Sequence, residues 1–396
     1  MNILVLCRRI PFPLTDGESL RIYHYAKRLA ANHQLDLVWV DGPSRDAELG
    51  GIFRRLERVA DVPVAPPGAL RRLRNTFSID GYARRYPSVE RHLRGVLGAR
   101  DYQVIWSSAD MITTIPAGFS TPLLADICDD DVLMLRRQLA RTRGLVARLR
   151  MLKRLLMARG YERRHFSSAQ ACLFVAEADA ESFRSLAPAT RVAVIPNGVD
   201  TEHFAPVPLK EDAATVVFEG SMAFPPNVDA AVYLCRTILP RIVARRPDAR
   251  VVLVGRDPAP EVRALAGERV QVTGTVDDVR PYLASATVFA CPLRMGAGIK
   301  NKVLQAWAMG KAVVATPVSV AGLAVEEGKN ILVQEDPDEF AAAVVRLIDD
   351  PALRARLGSE ARQTVVAGYT WGEAAHRLEG LLASIAGKTR RAGPDA

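Results

Sequence analysis

The sequence has few cysteines, few aromatic residues and no long apolar run. Its five cysteines are widely spaced and form no Cys-x-x-Cys pair or Cys/His cluster, which argues against a disulfide framework and a zinc site. No segment approaches the roughly 18–20 apolar residues that a membrane-spanning helix needs. The opening MNILVLCRRIPFP has no basic n-region and no small-residue cleavage site. We therefore expect a cytoplasmic protein without a signal peptide.

Aromatic residues make up only 6% of the chain, although its formal net charge is +9. Few aromatics stand near the basic residues and no known nucleic-acid module occurs, so we expect no nucleic-acid partner. The charge is concentrated from Arg136 to Arg164, which holds eleven Arg or Lys and one acid. Leucines recur there at helical spacing, at positions 145, 149, 152 and 156. Such a helix either lies on the anionic inner face of the cytoplasmic membrane or packs on its own domain with a solvated basic face.

Both halves of the chain alternate short apolar runs with helical patterns. The runs include NILVLC, LDLVWV and ACLFVA in the first half and TVVFEGS, RVVLVGR and ATVFACP in the second. This alternation predicts parallel sheets covered by helices. The proline and Asn-Gly content of residues 192–208 marks a linker. We therefore predict an α/β protein with two Rossmann-like doubly wound domains, residues 1–191 and 209–370, facing a central cleft.

The stretch RMGAGIKNKVLQAWAMG, residues 294–310, carries the strongest signal for a ligand. Gly296 and Gly298 allow the backbone to turn sharply and approach a ligand closely. We expect a helix to begin near Ile299, with free N–H groups and a dipole that favours negative charge. Its first turn adds two mobile positive charges, Lys300 and Lys302. Together these features predict a diphosphate site; the alternative is a helix start with packing glycines and exposed lysines.

Further candidates for donor binding are spread along the chain. Gln305 lies three residues after Lys302 on the same helix face and is within reach of a ribose hydroxyl. Gly220 ends a strand, and Asn227 stands where a helix should begin, which favours an N-cap. Arg256 ends another strand and can contact phosphate, although a surface salt bridge is the alternative. Gly17, in the first βα loop, would let a sugar or phosphate approach the first helix.

A run of acids accompanies the predicted strand PLLADIC. Carboxylates at a strand end can bind a divalent metal or act as a general base. In the alternative interpretation, Asp129 or Asp130 caps the next helix. The residues concerned are Asp126, Asp129, Asp130 and Asp131.

Two segments resemble a known family. IPNGVDTEHFAP and GAGIKNKVLQAWAMGKAVVAT are similar to the linker and the donor-site segment of the retaining GT-B glycosyltransferases of the Glu-x7-Glu group. PFPLTDGESLRIYHYAKRLA and EGSMAFPPNVDAA resemble, more narrowly, the bacterial sugar transferases associated with exosortase-linked exopolysaccharide systems. The resemblance covers nearly the whole chain. It implies a GT-B fold, a nucleotide-sugar bound by the C-terminal domain, and a helix over 371–388 that crosses back to the N-terminal, acceptor-binding domain before a tail at 389–396.

The resemblance also implies an activity. A sugar would pass, with retention and without a metal or other cofactor, from a nucleotide-sugar to a hydroxyl of a glycan or polyprenyl-linked acceptor. Asp129, near the place of an active-site histidine in relatives, and Lys302 are its catalytic candidates. The two family glutamates are replaced by Ala297 and Gln305. Their loss keeps two alternatives open, a non-catalytic nucleotide-sugar-binding protein and a GT-B epimerase; a metal-dependent GT-A transferase using residues 129–131 is a third.

Overall fold

The computed structural model describes residues 1–14, 17–61, 82, 85–296 and 298–390. These form two compact units, Met1–Pro196 with Ala374–Ala396, and Asn197–Glu373. The first boundary falls inside the segment expected to be a linker, residues 192–208. Residue 297, the position of one missing family glutamate, and residues 391–396 of the expected tail lie outside the described part of the chain.

The first unit is built on a parallel sheet of seven strands in the order β3-β2-β1-β4-β5-β6-β7. Its central strands are apolar along their length, since both faces are covered by helices; Ile3 and Leu4 in β1 are 0% exposed. The strands are Asn2–Arg9 (β1), Gln34–Asp41 (β2), Arg55–Arg58 (β3), Val104–Ser108 (β4), Leu123–Cys128 (β5), Ala171–Phe174 (β6) and Val192–Val194 (β7).

Helices fill the connections of this sheet. They are Gly17–Leu29 (α1), Asp46–Leu49 (α2), Pro87–Ala99 (α3), Asp131–Arg141 (α4), Leu145–His165 (α5) and Glu177–Leu186 (α6), with 3₁₀ turns at Ala109–Thr114 and Phe166–Ser168. The last helix of the chain belongs to this unit from Ala374 onwards. Its Glu379 accepts a hydrogen bond from His33 Nε2 at 2.8 Å, which ties the helix to the end of α1.

The second unit repeats the pattern with six parallel strands in the order β10-β9-β8-β11-β12-β13. The strands are Thr215–Glu219 (β8), Arg250–Val254 (β9), Val270–Val272 (β10), Val288–Cys291 (β11), Val313–Ala315 (β12) and Leu332–Val333 (β13). The helices are Pro225–Tyr233 (α7), Leu239–Val243 (α8), Pro260–Arg263 (α9), Arg280–Ser285 (α10), Asn301–Ala308 (α11), Pro337–Asp349 (α12) and Pro351–Gly368 (α13), with a 3₁₀ turn at Pro317–Val320. The last helix, Trp371–Arg390 (α14), begins in this unit and belongs to the first unit from Ala374 onwards. Two Rossmann-like doubly wound sheets confirm the predicted α/β class.

The strand order of each sheet reverses at its centre. In the first sheet, β1 lies between β2 and β4; in the second, β8 lies between β9 and β11. Connections leave such neighbouring strands in opposite directions, so a crevice opens beyond their carboxyl ends. This topology gives each unit one place where a ligand is expected, beyond β1 and β4 or beyond β8 and β11.

One helix differs from its prediction. The pattern from Val228 to Ala244 predicts a single α-helix, but the structure begins it at Pro225 and interrupts it with a π-helical turn, Leu234–Ile238. Pro240 lies just beyond this turn and has no backbone N–H for the bond to residue 236. The π-helical turn, which is wider than an α-helical turn, lets the helix continue without this hydrogen bond.

Candidate functional site

The candidate site lies at the crevice of the second sheet. β8 ends at Glu219 and is followed by Gly220, whose φ of +152° is costly for residues with a side chain. β11 ends at Cys291, and the loop after it leads into α11. The two segments with the strongest sequence signal therefore follow the two strands at which the strand order reverses.

Lys302 joins these two segments. Its Nζ donates to the main-chain oxygen of Glu219 at 2.6 Å and to Asn227 Oδ1 at 2.8 Å. The ammonium also lies 4.5 Å from the ring centroid of Phe218, a cation–π contact. The prediction of a mobile charge is wrong for this lysine, because three groups hold its ammonium at the end of β8.

Glycines make room for that ammonium. A Cβ on Gly220 would lie 2.5 Å from Lys302 Nζ and 2.7 Å from Asn227 Nδ2. A Cβ on Gly255, after β9, would lie 1.7 Å from the oxygen of Gly220. Neither position therefore accepts a side chain unless the loop moves. The loops after β8 and β9 can approach each other here because residue 255 is glycine, and residue 220 leaves space for the lysine because it is glycine.

Asn227 does not have its predicted role. Helix α7 begins at Pro225 with Phe224 as the N-cap residue, so Asn227 lies inside the first turn. Two successive prolines fit the first positions of a helix, which moves the start ahead of the asparagine. Its side chain instead donates to Ser221 O at 2.9 Å and accepts the bond from Lys302. Asn227 thus orients the lysine.

The helix predicted to begin near Ile299 begins at Asn301, with Lys300 as its N-cap residue. Gly296 and Gly298 have φ values of +136° and +65°, which are incompatible with a helix and delay its start. Lys300 Nζ donates to Gly298 O at 2.6 Å, so this lysine is also less mobile than predicted. The Ile299 side chain is 8% exposed and packs in the core.

The remaining predicted residues fall in several places. The Arg256 main-chain oxygen accepts from Met222 N at 2.9 Å, which joins the loop after β9 to the loop after β8. Gln305 lies on α11, partly buried. Gly17 and Asp129 belong to the first unit. Gly17 is the first residue of α1 rather than a loop residue, and Asp129 is exposed.

Sequence reasoning missed Glu219. This carboxylate is 8% exposed at the end of β8. Burial raises its pKa, and the Lys302 ammonium lowers it in part. Burial likewise lowers the pKa of Lys302, and Glu219 offsets part of that shift. The available signal was an acid in the otherwise apolar run TVVFEG.

The sequence also did not predict the structural role of Arg294, which contacts two residues of α7. Its Nε donates to Asp229 Oδ2 at 2.9 Å, and its guanidinium lies 4.5 Å from the ring centroid of Tyr233. Both partners are on α7. The pair therefore fastens the loop after β11 to the helix after β8, and the two walls of the candidate site are held together.

Two of the acids near β5 have structural partners. Asp130 accepts from Val132 N at 2.8 Å and is the N-cap of α4, which confirms the capping interpretation for this residue. Asp126 forms a buried ion pair with Arg21, with oxygens 2.9 and 3.0 Å from Nε. In the described parts of the chain, no three His, Cys, Asp or Glu side chains are grouped to hold a metal ion.

The arrangement suits an anion. Lys302 belongs to the first turn of α11, and its ammonium lies beside Gly220 at the carboxyl edge of the sheet. Helix N-termini and ammonium groups both stabilise phosphate charge. Together they can offset the charge of a diphosphate, which carries more than one negative charge.

The chain is similar in sequence to known proteins. Residues 213–350 match the family model described as glycosyl transferases group 1. The phosphatidyl-myo-inositol mannosyltransferase of Mycolicibacterium smegmatis is 31% identical over 204 residues, 49% of this chain and 52% of that protein. The GDP-mannose-dependent alpha-(1-6)-phosphatidylinositol monomannoside mannosyltransferase of Mycobacterium tuberculosis is 28% identical over 323 residues, 75% of this chain and 80% of that protein.

The fold comparison covers both units. Sucrose-phosphate synthase from Thermosynechococcus elongatus superposes with a TM-score of 0.74 at 17% identity, over 98% of this chain and 99% of that chain. The chain therefore has the GT-B fold of glycosyltransferases, as the sequence resemblance implied. The match to glycosyl transferases group 1 lies within its second unit. The alignments to the first curated relatives span about half of those proteins' length.

Proposed function

We propose that this protein is a glycosyltransferase that moves a sugar from a nucleotide-sugar to an acceptor hydroxyl. The observation that carries the proposal is Lys302, whose ammonium is held between Glu219 O and Asn227 Oδ1 where the strand order reverses. The family match of residues 213–350 supports the same conclusion.

The chemistry requires a stabilised leaving group. As the bond between sugar and diphosphate breaks, negative charge grows on the departing oxygen, and a fixed ammonium lowers the energy of that state. The acceptor's proton then has to leave its hydroxyl. In a reaction with retention, the departing phosphate oxygen can take it, and no protein nucleophile is needed. We propose retention on the family resemblance, with no bound metal.

The relatives suggest the kinds of substrate. One has GDP-mannose and a phosphatidylinositol monomannoside in its name. We propose a nucleotide-hexose donor and a lipid-linked or glycan acceptor, within the synthesis of a cell-surface polysaccharide. Asp129 and Lys302 are our catalytic candidates, and Gly296, Gly298, Lys300 and Gln305 are our candidates around the donor.

The test is nucleotide binding by a lysine variant. Lys302→Met should weaken the binding of a nucleoside diphosphate by about 1.5–3 kcal/mol, the value of a charge-assisted hydrogen bond. Isothermal titration calorimetry with UDP and GDP measures this. Lys329→Met is the matched control, because Lys329 is exposed and pairs with Glu326 in the same unit. Equal affinities in the two variants would overturn the site.

Transfer itself needs a second measurement. Labelled nucleotide-sugars incubated with membrane lipid extracts should give a labelled glycolipid, and the anomeric configuration of the product reports retention. Nucleotide binding without transfer or hydrolysis would favour a binding protein. Conversion of the nucleotide-sugar to its epimer without acceptor would favour an epimerase.

We also propose a peripheral position at an anionic membrane, through α5. Its apolar side chains are exposed along one face, with Leu145 at 75%, Leu149 at 57% and Leu156 at 60%. Arginines at positions 148, 150 and 159 are exposed on the same helix. Exposed leucines and arginines on one helix can bind an anionic membrane surface through apolar contact and charge attraction together. No described helix is long and apolar enough to cross a bilayer.

A further inference from the structure

Helix α11, which carries Lys302, is contacted at its start by the linker segment 197–206. Asn197, the first residue of the second unit, is 7% exposed, and its Nδ2 donates to Asn301 Oδ1 at 3.2 Å. Asn301 is the first residue of α11 and immediately precedes Lys302. A buried side chain of the linker therefore holds the turn of the helix on which the diphosphate site depends.

The same linker segment is joined to the other end of α11 through Arg362 of α13. Arg362 Nη1 donates to the main-chain oxygen of Ala308, the last residue of α11, and to that of Phe204 at 3.4 Å. Its Nη2 donates to the Thr201 main-chain oxygen at 3.4 Å. The last carbonyl groups of a helix have no partner within it, so the guanidinium satisfies one of them and ties it to the linker.

Backbone contacts fix the linker segment itself. Val199 N donates to Tyr369 O at 2.8 Å. A Cβ on Gly198 would lie 2.5 Å from Trp371 N, so the two backbones lie directly against each other. At the far end of the segment, Pro206 Cγ would lie 3.6 Å from a Cβ on Gly310, just beyond α11. A segment held in this way can support the helix that it contacts.

An open cavity of about 580 Å³ lies at the Arg362 end of α11. Its walls include Pro206 of the linker, Gly310 after α11, and Arg362 and Val366 of α13. Side chains therefore do not close this junction, and the hydrogen bonds of Arg362 supply part of the restraint on the helix.

We propose that Asn197 and Arg362 are positioning residues for nucleotide binding. Asn197 holds the first residue of α11 and Arg362 holds its last, so together they set the position of the helix and of Lys302. Both act through the helix, and a shift of about 1 Å in a binding group is enough to weaken its contact with a ligand. This inference rests on the proposed glycosyltransferase function and adds residues of the linker and of α13 to its nucleotide site.

Isothermal titration calorimetry of the folded variants with UDP and GDP tests the inference. Arg362→Met should raise the dissociation constant of the nucleotide that binds by about tenfold, comparable to the loss of one hydrogen bond. Asn197→Ala removes an independent contact and should also raise it. The matched control is Arg354→Met, which should leave the affinity unchanged. Arg354 is also on α13, but it donates to main-chain oxygens at the end of a different helix, α12.

A double-mutant cycle separates positioning from general destabilisation. If Arg362 acts by placing Lys302, Arg362→Met should change the affinity of Lys302→Met by about twofold or less, because the group that it positions is gone. Hydrogen exchange followed by mass spectrometry, without nucleotide, gives a second readout. Residues 301–310 should exchange faster in Arg362→Met than in Arg354→Met, since their helix is less restrained.

Three results would overturn the positioning role. They are affinities that Arg362→Met and Asn197→Ala both leave unchanged, an equal loss of affinity with and without Lys302, and unchanged exchange of residues 301–310 in Arg362→Met. If Lys302→Met alone weakens binding, the proposed function stands and only the positioning role fails. If the natural protein binds neither nucleotide, or if Lys302→Met binds as tightly as the natural protein, both fail.

Discussion

At the scale of single residues, the side chains that matter most are charged groups taken out of water. Lys302 and Glu219 lie near each other at the end of β8. Burial lowers the pKa of Lys302 and raises the pKa of Glu219, so it favours the neutral form of both side chains. A bound diphosphate would add negative charge beside the lysine and favour its charged form. The added negative charge would offset part of the cost of burying the ammonium.

A buried carboxyl group of the first unit gives a prediction for stability. Glu162, 2% exposed, accepts from Val132 N at 3.3 Å beside Asp130. Burial, followed by the charge of Asp130, raises the pKa of Glu162 to about 10. The folded protein thus keeps a proton that the unfolded chain releases near its ordinary pKa of 4.5. Stability should fall as pH rises between these two values.

Glu162→Gln keeps a hydrogen-bond donor and cannot ionise. Relative to the natural protein, it should gain stability as pH rises from about 5 to about 8, by up to about 1.4 kcal/mol per pH unit. Thermal unfolding at several pH values measures the difference. Glu181→Gln, at an exposed position of the same unit, should give no such trend. Parallel pH profiles for Glu162→Gln and the natural protein would show that Glu162 is ionised when folded.

At the scale of elements, close backbone contacts hold the donor-site helix in place. A Cβ on Gly358 of α13 would lie 2.0 Å from the oxygen of Gly310, which ends the turn after α11. Gly310 has a φ of +68°, the left-handed conformation common after a helix. The position of α11, and with it that of Lys302, therefore depends on α13 having no side chain at this point.

Gly358→Ala should lower the free energy of unfolding by about 1–3 kcal/mol, since the added methyl meets backbone. Urea denaturation measures it. The same change at Gly380 in α14, where no atom lies within 4 Å of the added methyl, should raise stability by up to about 1 kcal/mol. If both variants were stabilised, α13 would have to be free to shift away from α11.

At the scale of the whole molecule, the distribution of charge favours an anionic surface. The net charge is +9, and the segment Arg136–Arg164 contributes strongly to it. Leu149→Gln should weaken binding to vesicles that contain anionic lipid, because an exposed apolar side chain is lost from the inserting face. Binding of the natural protein should fall as salt screens the basic charge.

Co-sedimentation with anionic and neutral vesicles measures both effects. Leu209→Gln is the matched control, because Leu209 is 49% exposed, against 57% for Leu149, but lies in the second unit. Equal loss in the two variants would mean that α5 is not the contact. Binding that is insensitive to salt would remove the electrostatic part of the proposal.

Much of the architecture could be predicted because its information is local. Apolar runs at βα spacing indicate parallel strands, and the family-like segments around residues 197 and 298 indicate the GT-B fold. The partners of individual side chains could not be predicted. The local sequence around Asn227 predicts a helix N-cap. In the structure its Oδ1 instead accepts a hydrogen bond from Lys302, which is 75 residues away in the sequence.

The sequence by itself determined the elements, the fold class and the loops that carry glycine and lysine, since periodicity and backbone preference act between residues close in the chain. Only the tertiary structure decided the order of the strands, the fixed position of Lys302 and the contacts of Asn197 and Arg362 with the two ends of α11. These depend on pairing between distant segments, where burial and packing rather than local preference choose the partner.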